Sequence, residues 1–143
     1  MKIRDILKAK GSQVYSTRPD QTLLDAVAIL MQHWIGALLV RDADGAVCGI
    51  LSERDVLRAC LERSADWGHI PVREAMTKDI VVCVLDDELD YAMGIVTKNR
   101  ARHLPIMDGD RVAGIVSIGD LVKAGLEEAE YENRYLKEYI QAR

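Results

Sequence analysis

Gly49-Ile50-Leu51-Ser52-Glu53-Arg54-Asp55 returns 65 residues later as Gly114-Ile115-Val116-Ser117-Ile118-Gly119-Asp120. Each copy reads as a short apolar strand that ends in a serine and runs into the first turn of a helix, with Ser-x-x-Asp as its capping box. A repeat of this kind must be followed along the whole chain before any element is assigned. Residues 35–40 fall on 101–106, 26–29 on 92–95 and 14–20 on 80–86, all at an offset of 66. The one-residue difference is absorbed in the turns at 41–46 and 107–111. Most of the chain is therefore two copies of one unit of roughly 60 residues, too small to be comfortably stable alone. The copies are expected to share one core.

Composition narrows the class. A chain of 143 residues with 49% hydrophobic content can build one compact domain or two fused half-domains. Phe is absent and aromatics are 5%, so the core is aliphatic. The net charge of −4 argues against a general nucleic-acid or anionic-membrane binder, both of which need a basic surface. The three cysteines, Cys48, Cys60 and Cys83, are odd in number and lack CxxC spacing, so they read as buried reduced thiols. There is no long apolar run and no signal-peptide core after Met1-Lys2-Ile3-Arg4-Asp5, so the expected location is cytoplasmic.

In chain order, residues 2–9 read as an amphipathic turn or helix carrying Ile3, Ile6 and Leu7, with Val72, Ala75 and Met76 as the second copy. Residues 14–17 are a predicted strand. Thr22-Leu23-Leu24-Asp25 is a capping box for a helix to about Trp34, with Leu23, Ala26, Val27, Leu30 and Met31 as the buried stripe and Gly36 as the stop. Residues 37–40 and 47–51 form a hairpin around Asp42-Ala43-Asp44-Gly45. The next helix carries Val56, Leu57, Cys60 and Leu61. Residues 63–71 are a linker in which Trp67 and His69 have no evident partner. The second copy predicts a strand at 80–85, a cap at Asp87, a helix over 88–100, strands at 103–106 and 111–116, and a helix from about 118. The fold class is α/β, each unit being a small three-stranded sheet covered by helices. The last helix runs on to about Ile140. Its incomplete apolar stripe and three tyrosines suggest an oligomer contact more than a solvated end.

Ser-x-x-Asp is first of all a helix cap. Its recurrence at a strand end in both copies, with a glycine three residues before each serine, adds a second reading. Exposed helix N-termini offer free N–H groups and a positive dipole end. A carboxylate beside them can accept both hydroxyls of a ribose diol. That carboxylate repels phosphate, so phosphates should lie toward cations, for which Arg102 and His103 are best placed.

The sequence resembles the tandem CBS-domain family, or Bateman module, over about residues 1–125. The carriers are Pro19-Asp20-Gln21-Thr22-Leu23-Leu24-Asp25-Ala26, Ile35-Gly36-Ala37-Leu38-Leu39-Val40, the two Gly-to-Asp motifs above, and Arg102-His103-Leu104-Pro105-Ile106. The tail, through Tyr139-Ile140-Gln141, is similar to that of stand-alone bacterial and plant-organelle CBS-pair proteins. The resemblance implies repeat 1 at 1–62, a linker at 63–71, repeat 2 at 72–125 and a helical extension at 126–143. The repeats would pack as a pseudo-twofold pair with two clefts between them, and two chains would dimerise into a flat disc through their helices. One cleft would use Ser117 and Asp120, with Ser16, Thr17, Ile35, Gly36 and Ala37 around adenine. The other would use Ser52 and Asp55, with Val82, Cys83, Arg102 and His103, the last two matching the family's phosphate-contacting positions and able to serve either cleft. Gly36-Ala37 stands where the second copy has its cation pair, which makes the Ser117/Asp120 cleft the better adenosine site.

The implied function is a non-catalytic energy sensor that binds AMP, ADP or ATP, requires no cofactor or metal, and signals to a regulated protein through the packing of its repeats. NAD(H) or S-adenosylmethionine are alternative ligands. A second class is a structural dimerisation or partner-binding module with unoccupied clefts. An enzyme is the weakest class: His33, His69 and His103 are unclustered, and Cys83 with His103 is the sole approach to a nucleophile–base pair.

Overall fold

The computed structural model describes residues 1–141. The elements are α1 (Ile3–Lys10), β1 (Ser16–Thr17), α2 (Leu23–His33), β2 (Ala37–Arg41), β3 (Val47–Ser52), α3 (Glu53–Arg63), α4 (Val72–Ala75), β4 (Cys83–Val84), α5 (Leu89–Asn99), β5 (His103–Asp108), β6 (Arg111–Ser117) and α6 (Ile118–Gln141). The strands form two three-stranded sheets, β1-β2-β3 and β4-β5-β6. In each, the first strand pairs in parallel with the second, and the second and third make an antiparallel hairpin. The α/β class and the small repeated sheet expected from the sequence are present.

The chain divides into two compact units, residues 14–80 and residues 1–13 with 81–143. Each has its own core, against the expectation of a shared one. Leu23, Leu38, Val40, Leu51 and Val72 anchor the first. Ile3, Leu89, Leu104, Ile106, Val116 and Leu121 anchor the second. Ile3 belongs to the core of the second repeat's sheet, and Val72 to that of the first. Each unit is thus closed by the helix that precedes the other repeat in sequence. Matched backbone bonds hold the two exchanged helices. Val72 and Arg73 donate to the carbonyls of Gln21 and Pro19, while Ile3 and Arg4 donate to those of Asp87 and Leu85. Leu23 N–H donates to Ile70 and Leu89 N–H to Met1, so the docked segments also satisfy helix N-termini.

The motif glycines serve this docking. A Cβ on Gly114 would lie 2.7 Å from Leu7 Cδ2, and one on Gly49 would lie 2.6 Å from Met76 Sδ and 3.0 Å from the Thr77 carbonyl oxygen. The strand must be bare there for the exchanged helix to approach.

Other expectations are corrected. The strands at 14–17 and 80–85 shrink to Ser16–Thr17 and Cys83–Val84. α2 and α5 end where expected, at Trp34 and Arg100, but the stop is the left-handed backbone of those residues, at φ 54° and 53°, and not Gly36. Glu88, not Asp87, stands at the N-cap position of α5, where its side chain makes no capping bond; the Asp87 carboxylate accepts from the Val84 N–H at 2.8 Å and closes the turn before the helix. Met31, Leu57 and Leu61 are exposed, because the buried face of α2 is Leu23, Ala26 and Leu30 and that of α3 is Asp55, Val56 and Ala59. Trp67 sits in a 3-10 turn, Ser64–His69, and packs on the first core, while His33 stacks on Tyr15 with ring centroids 3.7 Å apart. Cys48 and Cys60 are only half-buried.

Candidate functional site

The two Ser-x-x-Asp turns form as capping boxes where β3 meets α3 and β6 meets α6. Ser52 N–H donates to Asp55 Oδ2 at 2.9 Å, and Ser117 N–H to Asp120 Oδ2 at 2.8 Å. In return Asp55 N–H and Asp120 N–H donate to the serine hydroxyls at 3.3 and 3.1 Å. Each turn is backed by the start of its own hairpin. Glu53 N–H donates to Gly36 carbonyl at 3.0 Å and Ala37 lies opposite Ser52. Ile118 N–H donates to Arg102 carbonyl at 2.8 Å and His103 lies opposite Ser117.

The first unit therefore holds Ser16, Thr17, Ile35, Gly36, Ala37, Ser52 and Asp55, and the second holds Val82, Cys83, Arg102, His103, Ser117 and Asp120. Within a unit, Gly36 and Ala37 adjoin Ser52, and Arg102 and His103 adjoin Ser117. Each cleft implied by the family resemblance draws on residues of both units.

The two carboxylates differ. Asp55 is 4% exposed. Its Oδ2 accepts from Ser52 N–H and from the Ser52 hydroxyl, and its Oδ1 from Arg58 at 3.3 Å and the Thr77 hydroxyl at 3.4 Å. Both oxygens are engaged. The Asp120 side chain keeps 26% of its surface. Its Oδ2 accepts from Ser117 N–H and from the Lys10 ammonium at 2.6 Å, while Oδ1 accepts no hydrogen bond among the described residues. Burial pushes the Asp120 carboxyl up, but the Lys10 and Ser117 hydrogen bonds outweigh it and hold it below the usual range. A cavity of about 420 Å³ opens beside Lys10, Asp120 and Lys123; the one beside Asp55 is about 190 Å³.

Thr17 is the second unusual polar group. It is 5% exposed, and its hydroxyl is buried without a hydrogen-bond partner among the described residues. Leaving a hydroxyl so costs about 1–3 kcal/mol. Ser16 beside it is exposed.

The Cys83–His103 pairing fails on register and on chemistry. Cys83 lies beside Ile106, not His103. Burial, followed by the nearby Asp87 carboxylate, pushes its thiol up to about 11, so it stays protonated at neutral pH and is a poor nucleophile. No group of three or more potential metal ligands occurs among the described residues. Lys10, Arg58 and Thr77 were missed from sequence. Lys10 lies 110 residues from Asp120, and the sequence contains no local signal for the exchange of helices that joins them.

The chain is similar to several known proteins. It is 33% identical over 147 residues to the mitochondrial CBS domain-containing protein CBSX3 of Arabidopsis thaliana, covering 97% of this chain and 71% of that one. Among solved structures it matches the CBS-domain containing protein ATU1752 from Agrobacterium tumefaciens, with TM-score 0.83, 42% identity, and coverage of 86% of this chain and 92% of that one. It shares a fold with the CBS domain pair of MJ0100, solved in complex with 5'-methylthioadenosine and S-adenosyl-L-methionine, at TM-score 0.78, 22% identity, and coverage of 90% and 98%. The family model described as CBS domain matches twice, at residues 3–62 and 72–127. With two sheets, two Ser-x-x-Asp turns and two family matches in one chain, this protein belongs to the CBS-domain family as a tandem CBS pair.

Proposed function

We propose that this CBS pair is a non-catalytic regulatory sensor of adenine nucleotides of the AMP, ADP and ATP class, working in the cytoplasm and signalling through the packing of its repeats. The observation that carries the reading is the contrast between the two carboxylates. Asp120 Oδ1 accepts no hydrogen bond among the described residues and the side chain lines a cavity bounded by α1 and α6, which leaves it open to a ribose hydroxyl, whereas Asp55 is buried and its oxygens are taken. The Lys10 ammonium neutralises Asp120, so a phosphorylated ligand is not repelled there. The buried Thr17 hydroxyl supports a polar ligand atom at the adenine end. In this reading Ser117 and Asp120 act with Ser16, Thr17, Ile35, Gly36 and Ala37. A second cleft would use Ser52, Val82, Cys83, Arg102 and His103, with Asp55 shaping it more than contacting ligand.

The test is a thermal-shift titration with AMP, ADP, ATP, NAD(H) and S-adenosylmethionine, on the native sequence and on Asp120→Ala. A ligand at 100 times its Kd stabilises by about 2.7 kcal/mol, a shift of roughly 5–10 °C at this size. A shift with an AMP-class nucleotide that disappears in Asp120→Ala supports the sensor. A shift confined to S-adenosylmethionine or NAD(H) reassigns the ligand. No shift with any of them overturns the reading.

A further inference from the structure

The Lys10 ammonium is held in place by the protein itself. It ends α1 and donates to two oxygens of its own unit, Asp120 Oδ2 and the Ile115 carbonyl oxygen, each at 2.6 Å. An ammonium has three N–H donors, and no third acceptor for this one occurs among the described residues. The Lys10 side chain keeps 37% of its surface, and both it and Asp120 line the cavity of about 420 Å³ between α1 and α6. Much of the entropy of ordering this long side chain is thus lost on folding rather than on binding, and its spare N–H is ready for a ligand oxygen. Five charged side chains line the cavity: Lys10 and Lys123 against Asp5, Asp120 and Glu127. The Met1 ammonium at the same cavity is already paired with Glu88 and Glu128. Without Lys10, three carboxylates would be left with Lys123. In the first repeat the matching place, just after α4, holds the neutral Thr77 hydroxyl, 3.4 Å from Asp55 Oδ1. A hydroxyl suffices to orient a carboxylate, whereas an ammonium also sets the charge that a ligand meets.

We propose that Lys10 is the specificity-determining residue of the Asp120 site and selects adenosine ligands by charge. It favours those that carry phosphate and disfavours those that carry a cationic sulfonium. The assignment rests on the reading of Asp120 as the ribose acceptor and gives the choice among its ligands to one side chain. Phosphate and sulfonium are both carried by the ribose that Asp120 would hold. Either group then falls within one screening length of the Lys10 ammonium, about 8–10 Å at ordinary ionic strength. Lys10 is the cation in contact with that carboxylate, so its loss turns the site toward cations whatever the other groups contribute.

The experiment is isothermal titration calorimetry of the full chain with AMP, adenosine and S-adenosylmethionine at low salt. Three variants accompany the native sequence. Lys10→Gln keeps an N–H donor on a flexible side chain and removes the charge. Lys8→Gln makes the same change of charge at an exposed position of α1 outside the cavity. Asp120→Ala removes the ribose acceptor. Lys10→Gln should weaken AMP about five- to tenfold, leave adenosine within about twofold and tighten S-adenosylmethionine by about threefold. Lys8→Gln should change none of the three. The native preference for AMP over adenosine should shrink as salt rises. Equal weakening of all three ligands in Lys10→Gln would mean that Lys10 only supports the turn, and it overturns the proposal. So does an unchanged order of the three ligands, or the same change in Lys8→Gln. In those cases loss of AMP binding in Asp120→Ala shows that the ribose reading stands without the assignment. AMP binding that survives Asp120→Ala, or no binding of any of the three, overturns the ribose reading and the assignment together.

Discussion

The Lys10 ammonium donates at 2.6 Å both to Asp120 Oδ2 and to the Ile115 carbonyl oxygen, tying the end of α1 to the last strand and first helical turn of the second repeat. The counterpart carboxylate in the first repeat, Asp55, is held by the Thr77 hydroxyl and Arg58. One carboxylate is balanced by a cation on an exchanged helix and stays partly open. The other is buried in a polar network.

That difference separates the two acids by experiment. Asp55→Ala removes a buried acceptor and leaves the half-buried Ser52 N–H and hydroxyl, with Arg58 and Thr77, without it. It should destabilise by about 1–3 kcal/mol. Asp120→Ala, at a more exposed site, should cost less stability and should abolish the nucleotide-induced shift. Urea denaturation of both variants checks the first statement, and equal losses would refute it.

Lys10→Met should return the Asp120 carboxyl upward, since the Lys10 hydrogen bond is the largest influence lowering it. Carboxyl-carbon NMR during an acid titration reads this directly. The sign for stability follows from linkage. The folded value lies below the ordinary 3.8, so the pair's contribution is complete above that value and fades as pH falls through the lower folded value. Lys10→Met should narrow the stability difference between pH 6 and pH 3. An unchanged acid profile would mean that the pair contributes nothing to stability.

The glycines should rank. Gly49→Ala meets a backbone oxygen at 3.0 Å as well as Met76, whereas Gly114→Ala meets the end of a flexible leucine side chain. Both overpack the contact with an exchanged helix. Gly49→Ala should cost about 1–3 kcal/mol and Gly114→Ala less, read as thermal midpoints.

Thr17→Val removes a buried hydroxyl that has no partner among the described residues and keeps the side-chain shape. Ligand-free stability should rise by about 1 kcal/mol, while nucleotide affinity falls by several-fold. A loss of stability in the ligand-free protein would mean that the hydroxyl is satisfied in solution.

Cys83 should resist alkylation at pH 7.5, because its thiol is pushed up to about 11 and is buried. Cys48 and Cys60 are half-buried and should react first. Peptide mapping after timed iodoacetamide treatment gives the order, and early labelling of Cys83 would contradict it.

The sequence by itself determined the repeated unit, the hairpins and the capping boxes. All three are local: a strand's apolar run, a turn at Asp42–Gly45, and a Ser-x-x-Asp whose partners lie three residues apart. The same locality made Ser117 and Asp120 legible as a candidate site. It could not set strand length, because Ser16–Thr17 and Cys83–Val84 extend only as far as their parallel partners pair with them. It could not choose the buried face of α3, where Ala59 lies inside and Leu57 and Leu61 outside. Only tertiary structure decided that α1 closes the second repeat and α4 the first. The apolar triads Ile3-Ile6-Leu7 and Val72-Ala75-Met76 suit either sheet by composition. Which one each helix covers is settled by long-range backbone bonds, from Ile3 to Asp87 and from Val72 to Gln21, and by glycines that admit Leu7 and Met76. That choice brought Lys10 to Asp120 and Thr77 to Asp55, and so gave two nearly identical motifs different carboxylate environments.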